Sequence, residues 1–211
     1  MKEFPHFLVQ SQELSISFDG LRSVFPKMGF TMTNRECLGI TGMNGSGKST
    51  LMKLLAGILT PSTGSIALQI NHQSIEKELI PMQIGLIAPY LSIYEEFTPK
   101  EHAIMFCNLS DIRFDNEHYE HIIELCGISN YQHQCIKTFS SGMKQRVKYM
   151  LALMRKPILL LLDEPSTNFD SKGHELFRTV VQKQREQGGG TIIATNEQAE
   201  TQFCDRIISL S

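Results

Sequence analysis

The sequence predicts an α/β fold, a parallel sheet flanked by helices, and three observations carry that prediction. Short apolar runs recur at residues 37–41, 158–162 and 191–195, with the length and composition of strands buried on both faces. Stretches of helical spacing separate such runs, as the crossovers of a parallel sheet require. Glycines gather at 42–47 and 188–190, where the chain has to turn between elements.

Taken in order, the first third reads as short strands broken by turns. Leu14-Ser15-Ile16-Ser17-Phe18 alternates apolar and polar residues, and Asp19-Gly20 turns the chain. Residues 37–41 run into a glycine-rich loop. Residues 49–56 have helical spacing, with Leu51, Leu54 and Leu55 on one face and Gly57 to end the helix. Pro61-Ser62-Thr63-Gly64 is a turn before a strand at 65–69. Residues 98–138 carry helical periodicity through Ala103, Ile104 and Cys107, then Ile122, Ile123, Leu125 and Cys126. Strand–helix alternation then resumes, with strands at 158–162, 191–195 and 206–210 and a helix at 174–187.

At 211 residues the chain fits a single domain, 1–211. Hydrophobic residues make up 41% and charged residues 20%, an ordinary globular balance. A net charge of −2 argues against nucleic acid as a partner, since such proteins carry a basic excess. No apolar run approaches the roughly 20 residues that span a bilayer, and the N-terminus has no apolar signal segment. Cys37, Cys107, Cys126, Cys135 and Cys204 are scattered and read as reduced thiols of a cytoplasmic protein. His118, His121, Cys126, His133 and Cys135 lie near one another in sequence but match no zinc spacing.

The strongest chemical signal is Gly42-Met43-Asn44-Gly45-Ser46-Gly47-Lys48-Ser49, followed by Thr50. It is a complete G-x-x-x-x-G-K-S pattern between an apolar strand and an apolar helix. Glycines let the chain fold tightly, so that successive backbone N–H groups point at phosphate oxygens. The helix that follows adds its N-terminal partial positive charge. Lys48 then reaches the β- and γ-phosphates, and the Ser49 hydroxyl ligates Mg2+. All nine residues from 42 to 50 are candidate ATP ligands. Chance gives this pattern in a chain of this length on the order of 1% of the time, so a plain glycine turn is the weaker reading.

A second signal is the apolar run at 158–162 ending in Asp163-Glu164-Pro165. A buried strand delivers two carboxylates to its carboxyl end, where α/β sheets place ligands. Asp163 fits a second Mg2+ ligand, and Glu164 is placed to polarise an attacking water. Alone, such a strand end is as often merely solvated; the glycine loop upstream makes it a candidate site.

Phe139-Ser140-Ser141-Gly142-Met143-Lys144-Gln145-Arg146 precedes this strand, and Ser166-Thr167-Asn168-Phe169-Asp170 follows it. In this order the segments resemble the signature and D-loop of the ABC ATPase family, over residues 14–210. The resemblance implies a RecA-like P-loop core with an N-terminal antiparallel β portion and a helical insertion near residues 91–141. It implies an ATP- and Mg2+-dependent ATPase subunit that powers a separate membrane permease, cytoplasmic and peripheral on the inner face of the membrane. Two cassettes, as a homodimer or as a heterodimer with a second cassette, would sandwich two ATPs. Ser140, Ser141 and Gly142 would then face the partner's nucleotide, and Asp170 takes the acidic D-loop position. A serine N-cap is the plain alternative for Ser140, and the two roles are compatible. Phe18 corresponds to the family's adenine-stacking aromatic, with Phe25 as competitor and core packing as the plain alternative for both. A soluble ABC ATPase outside transport, such as the iron–sulfur assembly type, and an ATP-sensing module with little turnover remain open.

The chain also departs from the family. Ser141-Gly142-Met143 stands where Gly-Gly-Gln is usual. Pro89, in Ile84-Gly85-Leu86-Ile87-Ala88-Pro89-Tyr90, replaces the Q-loop glutamine and offers no side-chain ligand. Tyr90 and the loop backbone are left to carry any coupling. Asn196 replaces the H-loop histidine; its amide can donate to a γ-phosphate but cannot titrate. Intact ATP binding and slow hydrolysis are the expectation, with Glu164 and Asn196 as the catalytic candidates.

Overall fold

A computed structural model of the chain describes residues 3–166 and 169–210. Among these, nine strands sort into two sheets. β1 (Phe7–Ser15), β2 (Met28–Thr33), β4 (Thr63–Ile70) and β5 (Gln73–Ser74) form an antiparallel sheet in the order β2-β1-β4-β5. β3 (Cys37–Thr41), β6 (Ile84–Ile87), β7 (Leu159–Asp163), β8 (Gly190–Ala194) and β9 (Arg206–Ser209) form a parallel sheet in the order β6-β7-β8-β3-β9. The fold is the α/β P-loop architecture expected, with its antiparallel N-terminal part.

Strand parity explains why the parallel strands read as unbroken apolar runs. Successive side chains point to opposite faces. In β7, Leu159 and Leu161 join one core with Leu38, Ile40, Ile192 and Ala194, while Leu160 and Leu162 join a second with Ile87 and Ile193. The first core packs under helix α1 (Lys48–Leu55) and the antiparallel sheet. The second packs under helices α2 (Pro99–Leu109), α3 (Asn116–Leu125), α4 (Ser141–Leu153) and α5 (Ser171–Glu186). Every residue of β7 and β8 is buried. Each such leucine contributes about 1.5–3 kcal/mol by burial.

Several elements differ from the expectation, three of them instructively. The strand expected at 14–18 lies earlier, at Phe7–Ser15. Its alternation is masked because Ser11 takes an inward position, where its Oγ accepts the Phe30 N–H at 3.0 Å, and because the ladder shifts register between Ser11 and Leu14. No strand is expected at 84–87, yet β6 forms there by pairing with β7, from Ile84 opposite Leu159 to Ile87 opposite Leu162. The helix expected at 174–187 starts three residues sooner, because the Asp170 carboxylate caps it by accepting the Gly173 N–H at 2.8 Å. By contrast α2 begins at the expected place, with Thr98 and Glu101 in a reciprocal capping box. A short helix α6 (Gln198–Thr201) follows β8.

Candidate nucleotide-binding and hydrolysis site

The loop between β3 and α1 turns through Gly42, Gly45 and Gly47 at φ values of 150°, 86° and 97°. A Cβ on Gly42 would lie 2.4 Å from the Leu210 carbonyl oxygen, and one on Gly47 would lie 2.8–2.9 Å from Val24 and Phe25. Glycine is therefore required at both positions for shape as well as dihedral angle. Gly47 is the N-cap of α1 and has no side chain to bond its first N–H groups. An uncapped helix start of this kind is an anion site. Lys48 is buried, and its Nζ donates to the carbonyls of Gly42 at 2.6 Å and Met43 at 3.2 Å. The buried Ser46 Oγ has no hydrogen-bond partner among the described residues.

Odd parity in β7 sends Asp163 to the face with Leu159 and Leu161, the face on which α1 packs. Asp163 is 1% exposed, and neither carboxylate oxygen has a hydrogen-bond partner among the described residues. Burial raises its pKa, while the nearby Ser49 hydroxyl and the Lys48 and Lys53 charges pull the other way. A buried carboxylate with both oxygens unspent is costly unless something binds it. No three His, Cys, Asp or Glu groups gather into a metal cluster among the described residues. A Mg2+ ion needs none, since it keeps waters and takes one or two protein ligands besides substrate phosphates. Asp163 and Ser49 fit that donor set.

Glu164 leaves the sheet in a left-handed conformation, φ 46°, with its N–H donated to the Ala194 carbonyl at 2.9 Å. Its side chain is exposed and lines a cleft of about 520 Å³ together with Asn44, Thr195 and Asn196. The Asn196 amide donates to Asn44 Oδ1 at 2.9 Å. The H-loop position is thereby joined to the glycine loop across 152 residues of sequence.

The Q-loop position lies at the same end of the sheet, because β6 pairs in register with β7. Pro89 is exposed. Lys148, on α4, donates to the Ala88 and Pro89 carbonyls at 3.2 and 2.9 Å. The Tyr90 ring covers the Lys53 ammonium at 4.2 Å. Burial, with a smaller contribution from the Asp163 charge, raises the Tyr90 pKa.

Ser140 is the N-cap of α4; its exposed Oγ accepts the Met143 N–H at 3.3 Å. Ser141 and Gly142 form the first turn. Farther along, α4 is tied to the carboxyl end of β7. Gln145 and the Tyr149 hydroxyl donate to the Pro165 carbonyl at 3.4 and 3.3 Å, and Arg146 donates to Asp170 at 3.0 Å. The Gly173 N–H, and then Arg146, lower the Asp170 pKa. Thr167 and Asn168 of the D-loop segment lie outside the described residues. Phe25 is 2% exposed and belongs to the core, whereas Phe18 is 70% exposed with a ring that the core does not use. Residues missed in sequence are Lys53, Lys148, Tyr149 and Glu200, whose roles come from partners far away in the chain.

The ABC transporter family model matches residues 25–167. An uncharacterized ABC transporter ATP-binding protein of Bacillus subtilis (strain 168), YdbJ, is 29% identical over 191 residues, covering 90% of this chain and 62% of that protein. The Nod factor export ATP-binding protein I of Rhizobium meliloti (strain 1021) is 30% identical over 197 residues, covering 90% of this chain and 58% of that one. The chain thus spans about three-fifths of the length of each of these two relatives. A solved ATP-binding subunit of an ABC transporter superposes with a TM-score of 0.84 at 25% identity, over 96% of this chain and 85% of that structure.

Proposed function

This chain belongs to the ABC transporter family, and on that premise we propose that it is the subunit that binds and hydrolyses ATP to power a separate membrane permease. The observation that carries the reading is Asp163, buried with no hydrogen-bond partner for either oxygen among the described residues and with the Ser49 hydroxyl and the Lys48 charge nearby. The backbone of residues 42–47 and the start of α1 bind the phosphates. Lys48 exchanges its loop carbonyls for phosphate oxygens. Ser49 and Asp163 hold Mg2+, which neutralises charge on the β- and γ-phosphates when bound. Glu164 orients the attacking water and accepts its proton. The Asn196 amide donates to the γ-phosphate, leaving Asn44 to do so. Phe18 stacks on adenine. Ser140, Ser141 and Gly142 meet the nucleotide of a second cassette, so each site is complete only in a dimer, on the cytoplasmic face of the membrane.

One observation favours a second reading, a nucleotide sensor with little turnover: the residue engaged with the glycine loop is an amide that cannot titrate. Phosphate release from the purified chain with MgATP separates the two. Release that depends on Mg2+ supports the ATPase; binding without release supports the sensor. Copurification with a polytopic membrane protein tests the transport role, and a chain that copurifies with none contradicts it.

A further inference from the structure

Glu200 is a buried carboxylate to which the scheme above gives no role. It sits on α6, four residues after Asn196, and is 3% exposed. Its Oε1 accepts both the Ser166 N–H, at 3.2 Å, and the Ser166 hydroxyl in a short hydrogen bond. Its Oε2 has no partner among the described residues. It lines the same cleft as Glu164, Asn44 and Asn196. A carboxylate this buried, with half its accepting capacity unspent and no cation paired to it among the described residues, is a poor device for stability alone.

Its position suggests a different use. Glu164 carries a backbone conformation that is costly for a residue with a side chain, and such conformations persist only where the surroundings over-determine them. The Glu164 N–H is fixed on the Ala194 carbonyl. The next residue, Pro165, has its carbonyl held by Gln145 and Tyr149, both buried. The residue after that, Ser166, is held by Glu200. The turn bearing the candidate catalytic carboxylate is thus pinned at three successive residues, and Glu200 is the only charged group among the pins.

We propose that Glu200 is a positioning residue for ATP hydrolysis, which clamps Ser166 and so fixes the strained turn that aims Glu164 into the cleft. Through α6 it also links that turn to Asn196, so the two sides of the cleft move as one unit. The proposal rests on the assignment of Glu164 as the water-orienting group.

Two measurements on the full chain test it. The first is steady-state phosphate release from Glu200→Ala, Glu200→Gln and Ser166→Ala, each in the wild-type and Glu164→Gln backgrounds. In the wild-type background Glu200→Ala should lower kcat about tenfold with KM within about twofold. Glu200→Gln, which keeps the accepting oxygen, should stay within about twofold of wild type, and Ser166→Ala should fall between. In the Glu164→Gln background Glu200→Ala should cost nothing further, because residues that act as a unit are not additive. Additive losses, or a KM effect without a kcat effect, would overturn the proposal. The second measurement is amide hydrogen exchange of the peptide containing residues 163–166. It should quicken about tenfold in Glu200→Ala and not in Glu200→Gln; unchanged exchange overturns the proposal whatever the turnover. If Glu164→Gln itself turned over at the wild-type rate, the assignment of Glu164 would fall, and the exchange result would still decide whether Glu200 holds the turn. Should Glu200→Ala not fold, Ser166→Ala carries the same kinetic and exchange tests.

Discussion

The starts of α1 and α4 are both helix N-termini, and they are finished differently. At α1 the cap is a glycine with no side chain to offer, the lysine is buried, and Ser46 and Asp163 present polar atoms with no partner among the described residues. At α4 the cap is an exposed serine that already satisfies the Met143 N–H. The first is a loop and helix start with buried polar atoms still unspent among the described residues. The second is a surface that loses nothing when alone, because a capping hydroxyl can exchange its backbone N–H for another partner. On the proposed reading, the first would be a phosphate cradle and the second a donor set for another chain's nucleotide.

The largest effect that would sharpen this contrast is on the chemical step. Glu164→Gln should cut phosphate release by about 10²–10⁴-fold, the usual contribution of a water-orienting base, with ATP affinity unchanged by calorimetry. Wild-type turnover in this variant would remove Glu164 from the site. Next comes binding. Lys48→Ala removes charge-assisted hydrogen bonds of about 1.5–3 kcal/mol each, so MgATP affinity should fall at least about tenfold. Equal affinities would mean that the lysine belongs to its loop carbonyls alone. Smaller effects follow at Asn196. Asn196→His should raise turnover and Asn196→Ala lower it; two variants matching wild type would place this residue outside the rate-limiting step. The smallest concerns stability. Without nucleotide, Asp163→Asn should melt about 2–4 °C above wild type, the shift that about 1 kcal/mol produces at this size, while losing the stabilisation MgATP gives the wild type. A lower melting temperature would show that the buried carboxylate has a structural partner.

Much of the candidate phosphate cradle is legible because its signals are local. The glycines, Lys48 and Ser49 are contiguous, and the period of two along 158–163 places Asp163 on the side of α1 once the strand is recognised. The strand at 7–15 was hidden by a polar residue in an inward position, which the alternation rule cannot anticipate without knowing that Phe30 supplies a donor. Glu200 and Ser166 are 34 residues apart, and Lys148 is about 60 from the carbonyls it holds. Neither spacing follows a helical or strand period, so only the folded chain brings these groups together. The departures at Pro89 and Asn196 were visible as substitutions, but that Asn196 bonds Asn44, and that the Tyr90 ring covers Lys53, depends on three-dimensional placement.

In the proposed function, two half-sites on one chain are completed by a second cassette. Light scattering of Glu164→Gln, with and without MgATP, tests it most directly, because blocked hydrolysis lets the nucleotide persist between the subunits. The mass should double on adding MgATP, an effect abolished by Lys48→Ala and weakened by substituting Ser140 with a bulky residue. A protein that binds MgATP with full affinity yet stays monomeric at every concentration would contradict self-pairing and leave only a different cassette as the partner of Ser140.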